Sequence, residues 1–208
     1  MMKRIAACAA LLIAGVHPAW AKEPKVSQQE LMLRRPPSAI EPLIKVAGDR
    51  LDPSIEISSY GASAITNKGL LVSTTTENSF MRAFIDKKDG KVSTQIYHIE
   101  NYSGEWKYFN SATYEAPEGI KEVSANRVGS DVNCYRWGCS FTEEVVFPVD
   151  FAILEKAAAA FDPANPLNGL RYRLFAKSGD RVDEAIPINE IVAFVAVVNR
   201  ARGDGIAK

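Results

Sequence analysis

The sequence predicts an α+β fold: a curved, meander-like antiparallel sheet of about six or seven strands, with two helices near the carboxyl end packed on one face. Three observations carry this expectation. From Ser54 to Phe147, runs rich in Ile, Val, Thr, Tyr and Phe alternate with turn residues at roughly ten-residue spacing. After Pro148 the apolar spacing lengthens to that of a helix. Finally, the 208-residue chain is 47% hydrophobic, enough to build a core and too much for a disordered chain.

The amino terminus reads as a secretory signal peptide, residues 1–21. Lys3 and Arg4 make a positive n-region, Ile5 to Val16 a 12-residue apolar stretch, and Ala19-Trp20-Ala21 a small-x-small cleavage pattern. That stretch is short of the ~20 residues that a membrane-spanning helix needs. Ile5-Ala6-Ala7-Cys8 also spells a lipobox, but no apolar stretch precedes it. Cleavage after Ala21 leaves 23 basic and 25 acidic side chains, two cysteines and one histidine. Such a balance argues against a strongly basic nucleic-acid binder, whose mark is a clustered excess of Lys and Arg.

Residues 22–50 read as a Pro-rich arm lying over a single domain of residues 51–208. Pro24, Pro36, Pro37 and Pro42 punctuate the arm, and a capping-box spelling at Ser27 to Glu30 allows one short helix. Within the domain, the clearest hairpin runs from Phe80 to Ile99 around a Lys87–Gly90 loop. It sets Ile85 against Val92, Ala83 against Thr94 and Met81 against Ile96 on one apolar face. Phe80–Tyr97, Arg82–Gln95 and Asp86–Lys91 share the other. Ser103-Gly104 predicts a further reversal, but one residue of slip would exchange the faces of Trp106 and Tyr108. Strands are expected near Ile120–Arg127, Phe141–Phe147 and Leu170–Lys177. Asp180, Asp183 and Glu184 read as a solvated loop. Asp150 is the expected cap of a helix over Phe151–Phe161. A last, buried helix contains the eight apolar residues Ile191 to Val198, with Pro187 at its first position and Gly203 as its stop.

Candidate chemistry is sparse. Cys134 and Cys139 predict a disulfide stapling an irregular loop; their spacing departs from the redox-active Cys-X-X-Cys pattern, and a zinc site lacks further ligands. His98 falls on the apolar face of the Phe80–Ile99 hairpin, with Glu100 on the same face. Catalysis there requires a nucleophile, and none is signposted: Gly61 to Ile65 lacks the second glycine of a nucleophile elbow. Phosphate loops, His-Glu-x-x-His and calcium-loop spacing are missing as well. Glu143 and Glu144 are adjacent on a strand and point to opposite faces. No cofactor and no metal are therefore expected.

Eight aromatic residues lie between Tyr97 and Trp137, dense enough for core packing or for a binding surface. Tyr135, Arg136 and Trp137, between the cysteines, are the candidate contact residues for an envelope protein, a peptide or a glycan. The competing reading turns Trp137 inward as a plug at the open end of the sheet. Functionally the sequence points to an exported, periplasmic or secreted, non-catalytic protein that binds or supports an envelope component. The alternative is a small secreted hydrolase using His98 with Glu100 and an unidentified nucleophile.

Overall fold

The structure, a computed structural model, describes residues 31, 33–62, 65–68, 73–76, 78–165 and 168–206. The signal-peptide reading, the capping box at Ser27 to Glu30 and part of the Gly61–Ile65 segment lie outside them. Among the described residues the fold is mostly antiparallel β-sheet with three helices, two of them toward the carboxyl end. The strands are β1 (Lys45–Ala47), β2 (Ser54–Ser58), β3 (Ile65–Lys68), β4 (Ser73–Thr76), β5 (Ser79–Asp86), β6 (Val92–Ser103), β7 (Phe109–Ala116), β8 (Gly119–Ser124), β9 (Asn126–Tyr135), β10 (Gly138–Val149), β11 (Gly169–Ala176) and β12 (Arg181–Pro187). Helices α1 (Pro37–Ile40), α2 (Phe151–Ala159) and α3 (Ile188–Ile206), with a 3-10 turn at Glu41–Leu43 directly after α1, complete the order.

Instead of one sheet of six or seven strands, the chain forms two larger open sheets. The first has the order β1-β2-β5-β6-β10-β9 and the second β12-β11-β7-β8; among the described residues β3 and β4 pair only with each other. Two segments of polar sequence make the difference. Asn126 to Tyr135 becomes a strand because its backbone completes the ladder of β10, although nearly all its side chains are exposed. Arg181 to Pro187 is likewise a strand, not the expected solvated loop. It turns Val182 and Ile186 inward and Asp183 outward, where Asp183 meets Arg173 of β11.

The β5–β6 hairpin has the register expected from its residues, with Ile85 on Val92, Ala83 on Thr94 and Met81 on Ile96. Its turn closes through the Gly90 N–H donating to the Asp86 carbonyl at 2.8 Å, with Gly90 at φ +70°. Asp150 caps α2 by accepting from the Ala152 N–H at 3.0 Å. Helix α3 starts one residue after Pro187, which ends β12, and runs past Gly203 to Ile206. Within the described part of the arm, Ile40 and Ile44 are buried, and β1 is an edge strand on β2.

The main core gathers the inner faces of both sheets with α2 and α3, around Met81, Ile96, Phe147, Leu174 and Phe194. A smaller cluster on the other face of the first sheet holds Phe80, Tyr97 and Val146. There Phe80 stacks on Tyr97 at 4.9 Å, with the Arg82 guanidinium 4.6 Å from the Tyr97 ring.

Candidate functional site

Alternation along β6 puts His98, Glu100 and Tyr102 on one face of the first sheet. His98 is fully buried, and its Nε2 lies 3.0 Å from Glu100 Oε2. A carboxylate only accepts, so Nε2 carries the ring proton that faces Glu100 and Nδ1 is the nitrogen left to accept. The Tyr172 hydroxyl donates to Nδ1 at 2.8 Å; the Ser79 hydroxyl lies 2.5 Å from the Tyr172 oxygen and 3.2 Å from Nδ1. Ser79 is brought there by facing His98 across the β5–β6 pair. Burial pushes the Tyr172 phenol well above its ordinary value, so it stays a neutral donor.

The structure thus joins His98 to Glu100, as the strand parity predicts, and adds two residues that the sequence reading missed, Ser79 and Tyr172. Serine, histidine and carboxylate at hydrogen-bond spacing form a chain that can activate a hydroxyl. Here the ring is sealed, however, and the Tyr172 phenol already occupies both Nδ1 and the serine oxygen. A shallow cleft of about 190 Å³ lies elsewhere, on the outer face of the second sheet between the Arg171–Glu115 and Arg173–Asp183 ion pairs. The arrangement is well suited to bridge the two sheets.

Next along the same face, Glu143 of β10 stands opposite Glu100. It is fully buried, and its Oε1 accepts from the Tyr102 hydroxyl and from the N–H groups of Lys107 at 3.1 Å and Tyr108 at 2.9 Å. Arg127 Nη1 lies 4.0 Å from the second oxygen. Burial, then the hydrogen bond to Glu143, pushes the Tyr102 phenol up to about 12. This carboxylate decides the orientation that the sequence left open. It holds the backbone at Tyr108 in the left-handed region, φ +58°, which leaves the Tyr108 side chain 45% exposed. Trp106 instead packs edge-on against Phe141 at 4.9 Å, with the Arg127 guanidinium 5.3 Å from its ring.

The second candidate lies at the far end of the β9–β10 hairpin. The ladder between β6 and β10 stops at Ser103 opposite Ser140, so the hairpin continues beyond β6, its neighbour in the sheet. Cys134 and Cys139 are not a staple across an irregular loop. They stand directly opposite each other in the ladder, bonded, with Cα atoms 4.0 Å apart. Tyr135 pairs with Gly138, which leaves Arg136 and Trp137 as the turn; Gly138, at φ +138°, supplies a conformation that side-chain-bearing residues rarely adopt. Trp137 is 90% exposed and Tyr135 74%, and the Arg136 guanidinium sits 5.5 Å from the Trp137 ring. Trp137 therefore does not plug the sheet. The hairpin carries it past the sheet's end, and Trp106 does the packing there.

No family model, curated protein or solved structure matches this chain. Function is left to the geometry of these two places. Among the described residues, no helix is long and apolar enough to cross a membrane, and no three His, Cys, Asp or Glu side chains gather into a metal-holding group.

Proposed function

We propose that this is an exported, non-catalytic protein that binds an envelope component through Tyr135, Arg136 and Trp137. The observation that carries the reading is the 90% exposure of Trp137 on a two-residue turn clamped by a disulfide. A ring tied at Cys134 and Cys139 orders the turn before any encounter, which lowers the conformational cost of binding. Trp, Tyr and Arg are also the side chains that dominate interface hot spots. Export rests on the pattern of residues 1–21, and a disulfide suits an oxidising compartment.

A photo-crosslinking residue at position 137, compared with one at the exposed Leu51, tests the contact. Cross-links specific to position 137 are expected; equal or no yield at the two positions would overturn the reading. Export is tested separately: the amino terminus of the exported protein should be Lys22, and an unreduced, unfolded sample should hold no free thiol.

The second reading, a hydrolase, draws on the 3.2 Å approach of Ser79 to His98. It requires Tyr172 to leave its place between them. A fluorophosphonate probe separates the two, because an activated Ser79 would be labelled and a bridging one would not.

A further inference from the structure

We infer that the component met by the hairpin tip is an anionic lipid bilayer surface, with the Trp137 and Tyr135 rings entering the headgroup layer and Arg136 pairing with lipid phosphate. This rests on the reading of the tip as the contact surface.

Three features point to lipid. First, Trp and Tyr join an apolar body to a polar edge, the chemistry of the bilayer–water boundary. Beside them an arginine can lay its stem on apolar surface, keep its guanidinium among the headgroups and bind phosphate with two N–H groups.

Second, the charge at the tip has one sign. From Asn133 to Ser140 the sole charged side chain is Arg136. The nearest acid on that limb, Asp131, accepts from the Asn133 amide at 3.0 Å. It lies about 13 Å behind Tyr135 along the strand, at ~3.3 Å per residue, beyond a Debye length in physiological salt. An anionic surface reached by the turn therefore meets the cation first.

Third, the patch is small and protruding. Its three side chains fall far short of the roughly 20–30 residues a side that a stable protein interface uses. A fluid headgroup layer needs no matched shape, only a tip that extends past its neighbouring strand. The hairpin supplies that reach, because its last residues run past Ser103 at the end of β6.

The test uses residues 22–208, which contain every described element. Co-sedimentation is measured with vesicles of phosphatidylcholine alone and of phosphatidylcholine with one quarter phosphatidylglycerol. Tryptophan quenching by lipids brominated near the headgroup is read alongside. Binding is expected to the anionic vesicles only, with quenching, and to weaken in high salt. Trp137→Ala should lower partitioning about tenfold or more, the effect of one large side chain kept out of an apolar medium. Arg136→Ala should remove most of the preference for phosphatidylglycerol, and both variants should melt with the parent. No binding to anionic vesicles, or binding that Trp137→Ala leaves unchanged, overturns the inference. If vesicles fail while position 137 cross-links to a protein or glycan, the bilayer is wrong and the tip remains the contact surface. If position 137 meets neither, both readings fall.

Discussion

The hydroxyl of Tyr172 donates to Nδ1 of His98 at 2.8 Å and ties β11 of the second sheet to β6 of the first. A histidine between a carboxylate on one side and a phenol on the other has both ring nitrogens satisfied. In a buried setting that satisfaction matters more than the strength of either bond, because an unpaired nitrogen would bear its full desolvation cost.

Tyr172→Phe removes the phenolic donor and leaves Nδ1 with Ser79 at 3.2 Å. A loss of about 1–2 kcal/mol is expected, read by urea unfolding, with vesicle binding at the hairpin tip unaltered. A variant as stable as the parent would show that Ser79 alone suffices.

Glu143→Ala deprives the Tyr108 N–H of its acceptor and leaves the Lys107 N–H with the Tyr102 hydroxyl alone, at 3.1 Å. The cost should be about 1–2 kcal/mol, the lower part of the range for an unsatisfied donor, because these amides are only partly buried. Glu143→Gln, which keeps a side-chain carbonyl, should lose less. Hydrogen exchange gives the local readout: the Tyr108 amide should be protected in the parent and lose protection in Glu143→Ala, more than the Lys107 amide does.

Alkaline stability follows from Tyr102, whose phenol is raised from 10.0 to about 12 by burial and by its bond to Glu143. The folded value is the higher one, so the contribution is intact below pH 10 and is lost as pH rises toward 12. Tyr172, also raised, acts in the same direction. Unfolding free energies measured at pH 9 and 11.5 should fall in the parent and fall less in Tyr102→Phe. Equal slopes would remove Tyr102 from the explanation.

Asp150→Ala should destabilise by about 1 kcal/mol, the usual value of a helix amino-terminal cap, since its carboxylate accepts from the Ala152 N–H at 3.0 Å. Asp150→Asn keeps an acceptor and should recover most of the loss in thermal melts followed by far-ultraviolet dichroism.

Short-range order was legible in the residues themselves. The β5–β6 register follows from two-residue alternation and a glycine turn, both local, and it places His98 beside Glu100 on the inner face. The Asp150 cap and α2 are local in the same way. Ser79 was within reach of the same reasoning, because extending the register by one pair beyond Phe80–Tyr97 sets it opposite His98.

Tertiary structure alone decided the rest. Tyr172 comes to His98 from 74 residues away, and Glu143 meets Tyr102 from 41 residues away. β9 and β12 are strands despite polar sequences, because backbone groups of β10 and β11 require partners whatever side chains the neighbour carries. The two mature tryptophans show the limit most directly. Trp106 packs on Phe141 and Trp137 stands in solvent, although both lie in polar, aromatic-rich segments. Residue type cannot separate them: the β6–β10 ladder ends at Ser103 and Ser140, and the hairpin carries Trp137 past that point, where no core surface remains to bury it.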